Sequence, residues 1–268
     1  MPGIDKAKTA PILRAMGLSR SFGGLHALQD VSLDVPRGCI KGVIGPNGAG
    51  KTTLFNLISG SLKPDSGTVC FEERPIQGMK PSRIAAQGIS RTFQNIKLFH
   101  GMTALENVLV GRHRLGRAGF FGGMLNLPAA GRDERMLLDR AREAIAFIGI
   151  EDVAQREVSG LSFGHQRAVE LARAIASDPV LLLLDEPAAG LNMKETSDMG
   201  ALVRKIRDRG VTVLMVEHDM SLVMGICDDI TVLNQGRKIF EGAPDAVQRS
   251  AEVIRVYLGE VNAEDSQP

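Results

Sequence analysis

Cys39-Ile40-Lys41-Gly42-Val43-Ile44 runs straight into Gly45-Pro46-Asn47-Gly48-Ala49-Gly50-Lys51-Thr52. The first six residues are an apolar run of strand length, and the segment from Lys51 to about Ser59 is expected to be helical, stopped by Gly60 and Pro64. Gly45, Gly50, Lys51 and Thr52 fit the pattern G-x-x-x-x-G-K-[ST]. Each residue type has a physical reason. The glycines let successive backbone N–H groups turn inward on phosphate oxygens. A helix that starts near Lys51 aims the positive end of its dipole at the same anion. Lys51 adds a full charge at the β- and γ-phosphates, and Thr52 offers a hydroxyl to Mg²⁺. At ordinary residue usage, roughly one chain in a hundred of this length matches those four positions by accident. The strand before and the helix after make an accident rarer still. The stretch therefore implies a site for ATP with Mg²⁺, with Gly45, Pro46, Asn47, Gly48, Ala49, Gly50, Lys51, Thr52 and Thr53 around the phosphates.

Outward from this loop, strands and helices alternate. Leu181–Leu184 and Thr212–Val216 are continuous apolar runs, as expected of parallel strands buried on both faces. Ile12–Leu18 and Val31–Val35 are shorter alternating candidates, and Gly67–Phe71 is another strand. Ile230–Leu233 and Arg237–Phe240 flank Asn234-Gln235-Gly236, a hairpin signal. Residues 80–178 are helix-rich with weak strand signals. They lie between two core strands in sequence, so they read as an inserted lobe. The expectation is an α/β fold: residues 1–10 a loose tail, 11–258 one domain with its helical insertion, and 259–268 a polar, frayed tail.

A net charge of +1, from 32 basic and 31 acidic residues, lacks the basic excess of a nucleic-acid binder, so no nucleic-acid partner is expected. Cys39, Cys70 and Cys227 are far apart with no C-x-x-C, and read as buried thiols in a reducing compartment. His26, His100 and His113 show no ligand spacing, so no structural zinc is proposed. No apolar run approaches the ~18 residues needed to span a bilayer. The first twenty residues are charged, without the apolar core of a signal peptide. The expected location is cytoplasmic; work at a membrane would need another protein to hold the chain there. Residues 111–135 stand apart, glycine-rich with Arg112, Arg114, Arg117, Phe120 and Phe121. They read as a surface loop before a core-packed helix bearing Met136, Leu137, Ala141, Ala144, Ile145 and Ile148, or as a contact surface for a membrane partner or anionic headgroups.

Two further motifs carry chemistry. The run Leu181–Leu184 ends at Asp185-Glu186. Asp185 is placed to hold Mg²⁺, directly or through water, and Glu186 to polarise an attacking water. Leu161-Ser162-Phe163-Gly164-His165-Gln166-Arg167 precedes an alanine-rich helical stretch reaching about Ala176. Ser162 reads as an N-cap, with His165 where a capping box would carry Glu. A hydroxyl and Gly164 at a helix start make a second anion site. The chain thus offers two phosphate-binding surfaces but one lysine-bearing loop. The economical explanation is that the second surface serves the nucleotide of another copy.

With these motifs in this order, the chain resembles the ATP-binding subunits of ABC transporters over nearly its whole length. Ser162, Phe163, Gly164, His165 and Gln166 resemble that family's signature, usually Leu-Ser-Gly-Gly-Gln or Leu-Ser-Tyr-Gly-Gln; His165 departs from it, while Ser162 and Gly164 are kept. The resemblance implies a P-loop ATPase core with an antiparallel β subdomain and an inserted helical subdomain. It implies roles for Phe22 in stacking on adenine, for Gln94 in sensing Mg²⁺ and water, and for His218 in contacting the γ-phosphate. Ala189-Gly190-Leu191-Asn192 falls at the dimer-contact loop, with Asn192 where Asp is commoner. Arg91–Leu98, Leu105–Gly111, Pro187–Asn192 and Tyr257-Leu258-Gly259-Glu260 look like the branched-chain amino acid import subfamily. Urea or amide importers and lipopolysaccharide export are same-branch alternatives, and a soluble ATPase acting on DNA or the ribosome is an alternative of another class. A metabolite kinase would leave Ser162–Gln166 unexplained. The implied partners are a second ATP-binding subunit, identical or a paralogue, two integral membrane permease subunits and, indirectly, a solute-binding protein. The implied location is peripheral, on the cytoplasmic face of the inner membrane.

Overall fold

A computed structural model describes residues 10–112 and 128–264. Most of the expected N-terminal tail, the last four residues, and His113, Arg114, Arg117, Phe120 and Phe121 of the glycine/arginine segment lie outside them, and with them the contact surface that segment would form. Arg112 lies inside and is not a surface cation. It is buried and donates to the Ala176 carbonyl at 2.6 Å and to Asp178 at 2.6 Å.

Two sheets carry the fold. The first is antiparallel, built from β1 (Pro11–Phe22), β2 (Leu25–Pro36), β4 (Ser66–Phe71) and β5 (Arg74–Pro75) in the order β2-β1-β4-β5. The second holds β3 (Ile40–Ile44), β6 (Ile89–Arg91), β7 (Leu181–Asp185), β8 (Thr212–Val216), β9 (Asp229–Asn234) and β10 (Arg237–Gly242) in the order β10-β9-β3-β8-β7-β6. Its first five strands in chain order are parallel, and β10 closes the edge antiparallel after the turn at Asn234-Gln235-Gly236. Every residue of β3, β7 and β8 is buried, which is why they read as unbroken apolar runs.

Successive strand residues face opposite ways, and the core follows. Leu181 and Leu183 pack with α1 (Lys51–Ile58) and the inner face of the antiparallel sheet, among them Leu54, Phe55, Leu13 and Phe71. Leu182 and Leu184 face the other layer, where Leu171, Val203, Ile206, Val223 and Ile226 sit on α5 (Phe163–Ala176), α6 (Met193–Asp208) and α7 (Met220–Ile226). A third cluster joins α3 (Ala104–Arg112), α4 (Pro128–Ile148) and α5 through Leu105, Val108, Ala141, Ala144, Ile145, Val169 and Ala172. On α4 the packed stripe takes in Leu138 rather than Met136, which is half exposed.

Two expected boundaries move. β6 pairs with β7 in the main sheet, and α2 (Pro81–Ala86) leads into it, so the excursion into helices starts after Arg91 rather than near residue 80. A three-residue strand is too short to show a period. At the other end, α8 (Pro244–Arg249) and α9 (Ala251–Glu264) follow β10, and α9 runs six residues into the tail expected to fray. Val253 and Tyr257 anchor its start against the core, and an established helix propagates at little cost per residue. No helix among the described residues is long and apolar enough to cross a membrane.

Candidate nucleotide site

The loop after β3 is held open by its glycines. Gly45 adopts φ 151°, and a Cβ there would lie 2.1 Å from the Leu233 carbonyl oxygen. Gly50 adopts φ 100°, and its Cβ would lie 2.5 Å from the Ala27 carbonyl oxygen. Only glycine fits both. Lys51 is buried, and its ammonium donates to the carbonyls of Gly45 at 2.6 Å and Pro46 at 2.8 Å, so the loop curls around the charge. No side chain caps the N-terminus of α1, whose N–H groups face the same concavity as anion donors. The turn between β9 and β10 braces the loop, with Gly236 N–H donating to the Ala49 carbonyl at 3.1 Å.

A cleft of about 660 Å³ opens over this loop. Asn47 to Thr53 line its floor; Gln94, Glu186, His218 and Gln235 line its walls, with Gly24 to Ala27 of the β1–β2 hairpin. Phe22 stands beside that hairpin stretch, paired in register with Leu25, half exposed and with the Arg20 guanidinium 4.9 Å from its ring centre. Leu25 and His26 reach the cleft itself, and the sequence reading missed both. The signal was the Gly23-Gly24 turn, which swings the chain back over the loop.

Asp185 ends β7 almost fully buried. Its carboxylate accepts from Arg91 at 2.7 Å, and Arg91 donates in turn to Asn56 at 2.8 Å and Ser59 at 2.7 Å, both at the far end of α1. Arg91 thus ties β7 to the helix that carries Lys51 and Thr52. Sequence reading passed over it, although an arginine at the end of a buried strand demands a carboxylate nearby.

Glu186 follows with φ 49°, a left-handed conformation uncommon outside glycine. Its N–H donates to the Val216 carbonyl at 2.9 Å. Its carboxylate accepts from Gln94 Nε2 at 2.8 Å and meets His218 Nε2 at 3.0 Å. Gln94, Glu186 and His218 come from the loops after β6, β7 and β8, and the glycine loop follows β3. All four segments therefore leave the carboxyl edge of one parallel sheet, where open α/β sheets bind ligands.

Ser162 to Gln166 do not enter this cleft. Ser162 caps α5: its Oγ accepts from the His165 N–H at 3.4 Å and lies 2.8 Å from His165 Nδ1, so the imidazole stands at the capping-box position but meets the Ser162 hydroxyl rather than its backbone N–H. Ser162, Gly164 and His165 line a different groove of about 480 Å³ with Glu195 and Lys205 of α6. The Phe163 ring is half exposed and packs on Gly190, where a Cβ would lie 2.9 Å from it. Asn192 caps α6 in a full capping box with Glu195, so the residue that departs from the commoner Asp still does an N-cap's work. Arg167, just past the signature, donates to the carbonyls of Phe93 at 2.8 Å and Gln94 at 2.5 Å. Its partner Glu170 accepts from the Phe93 N–H at 3.4 Å, and burial raises the Glu170 carboxyl above its usual range against the opposing arginine charges. The start of α5 and the Gln94 loop are thereby fastened together.

Comparison with known proteins agrees with this geometry. The family model "ABC transporter" matches residues 28–189, and that of the "Branched-chain amino acid ATP-binding cassette transporter" matches residues 237–262. The chain is 45% identical over 251 residues to the high-affinity branched-chain amino acid transport ATP-binding protein LivG of Salmonella typhimurium, covering 93% of this chain and 98% of that one. It superposes on a crystal structure of the ADP conformation of an ATP-binding cassette of an ABC transporter with a TM-score of 0.81, at 32% identity, covering 94% of this chain and all of the other. A dimeric structure of a bacterial ABC transporter cassette matches with a TM-score of 0.73 at 26% identity, covering 87% of this chain and 98% of the other. A lysine-bearing glycine loop, an acid pair closing the neighbouring strand and a serine-capped helix facing away from that cleft all lie on the fold of those cassettes: the chain belongs to the ABC transporter family, as one of its ATP-binding subunits.

Proposed function

We propose that the chain binds and hydrolyses ATP to drive import of branched-chain amino acids. The observation that carries the hydrolytic part is the convergence of Gln94 and His218 on Glu186 at the wall of the cleft over Lys51. Residues 11–258 act as one ATPase domain with a helical insertion. The glycine loop from Gly45 to Thr53 cradles the phosphates, Lys51 neutralises the β- and γ-oxygens, and Phe22 with Leu25 covers the base. Glu186 accepts a proton from the water that attacks the γ-phosphorus, Gln94 orients that water, and His218 holds the γ-phosphate. Thr52 and Gln94 line the cleft, whereas Asp185 is buried outside its lining with its carboxylate held by Arg91; all three offer hard oxygen donors of the kind Mg²⁺ takes, Asp185 acting through water. When bound, Mg²⁺ neutralises charge between the β- and γ-phosphates.

Ser162, Gly164 and His165 line a groove separate from their own chain's cleft, and the existence of a dimeric cassette among the similar structures supports pairing; in our reading the pairing is head to tail and Ser162 to Gln166 complete the partner's ATP site. ATP then favours closure because the closed state alone gives it contacts with both chains. The paired subunit is identical or a paralogue. The segment from Gln94 to Leu109, with half-exposed Phe99 and Met102, transmits the motion to two membrane permease subunits, which hold the chain at the inner face of the membrane. The substrate follows from relatives such as LivG, whose solute class is branched-chain amino acids.

Vesicles carrying the whole transporter test this reading. Leucine or isoleucine on the solute-binding protein is expected to stimulate hydrolysis and drive solute uptake. Stimulation by urea or short amides in their place would move the substrate to that branch. Lys51→Ala is expected to weaken ATP affinity about tenfold, by loss of a charge-assisted phosphate contact; unchanged affinity in a nucleotide titration would contradict its role. Ser162→Arg is expected to leave the fold intact and to weaken ATP-dependent dimerisation roughly tenfold or more, since it sets bulk against a phosphate-binding helix end. Sedimentation with and without ATP reads this out, and a variant that still pairs on ATP addition would argue against the shared site.

A further inference from the structure

The residue directly after buried strand β8 is an acid that the mechanism above does not use. Glu217 is 3% exposed. Backbone N–H groups, rather than a cation, bond its carboxylate. Oε1 accepts from Ala188 at 2.7 Å, and Oε2 accepts from His218 at 2.9 Å and from Asp219 at 3.3 Å. A buried carboxylate without such donors would be strongly disfavoured, and burial raises the Glu217 carboxyl above the usual range while the three N–H groups and the nearby Glu186 charge pull in opposite directions.

The three donors belong to two loops. Ala188 is two residues past Glu186, and His218 and Asp219 lie on the loop after β8. The same loops meet through their side chains, Glu186 against His218 at 3.0 Å, and the Glu186 N–H is anchored on the carbonyl of Val216, the last residue of β8, at 2.9 Å. We propose that Glu217 is a positioning residue for hydrolysis: its two oxygens hold the loop after Glu186 at a set distance from the loop that carries His218. A hydroxyl or an amide at this position has one accepting oxygen and satisfies one loop only. The need to reach two loops at once explains why a carboxylate stands there despite its burial. The inference rests on the ATPase reading of the site.

The test is a double-mutant cycle with two independent readouts. Glu217→Gln is expected to lower kcat about 10- to 100-fold, the scale of a reacting group misplaced by an ångström. ATP affinity stays within about threefold, because the phosphate loop is untouched. In a His218→Ala background the same substitution is expected to add almost nothing, because there is no longer an imidazole to place. A merely structural role would add its cost in both backgrounds, and that outcome, or a Glu217→Gln enzyme at the wild-type rate, overturns the inference. If His218→Ala itself turns over normally, the role of His218 fails and this inference with it; if His218→Ala is slow while Glu217→Gln is not, only this inference fails. Should Glu217→Gln not fold, amide hydrogen exchange on the wild-type protein decides. The Ala188 and His218 amides are expected to exchange as slowly as those of β8, and exchange at the rate of an open loop refutes the tie.

Discussion

Glu186→Gln binds ATP as the wild type does and turns over at least ~10²-fold more slowly. The substitution is nearly isosteric. The amide oxygen still accepts a hydrogen bond, so the contact that holds Gln94 in place, 2.8 Å in the native site, has a counterpart in the variant. What is lost is the capacity to take a proton from water. The left-handed backbone at Glu186 is set by the Val216 carbonyl and the tight turn before Ala188, neither of which the side chain controls, so the fold is retained. Nucleotide titration and single-turnover hydrolysis separate the two effects. Near-normal turnover would remove Glu186 as the base and leave His218 and Gln94 as the groups to test.

Arg91→Ala is the second large effect. Arg91 and Asp185 form a buried pair, with side chains 9% and 4% exposed. Removing one partner leaves the other charge uncompensated, at a cost of about 3–5 kcal/mol. Asn56 and Ser59 lose a donor in the same step, which loosens α1 against β7. The expected result is a large fall in the denaturation midpoint with the slope unchanged, together with weaker Mg²⁺-dependent nucleotide binding. Arg91→Lys should recover little, because one ammonium cannot reproduce a planar fork that reaches Asp185, Asn56 and Ser59 at once. A loss below about 1 kcal/mol would mean that Asp185 finds another partner and that Arg91 does not organise the site.

Much of this protein was legible in one dimension. The glycine loop, the buried strands and the capped helix at Ser162 are local features, because their spacing is the period of the backbone itself and their chemistry is that of neighbouring residues. Burial on both faces makes a parallel strand such as Leu181–Asp185 continuously apolar, and a phosphate loop needs glycine where Cβ would strike Leu233 or Ala27. What the residues alone could not decide is convergence. Gln94 and Glu186 are 92 residues apart, and His218 and Glu186 are 32 apart. They meet because strand order places β6, β7 and β8 side by side, and apolar runs carry no record of which neighbour each strand takes. For the same reason Arg91 and Glu217 passed unnoticed: their partners are Asp185, 94 residues away, and the Ala188 amide, 29 away. The phosphate loop was evident from its own eight residues; that Ser162 lines a separate groove rather than the cleft over that loop was visible only in the tertiary structure, since a helix start announces an anion site but not which cavity it borders.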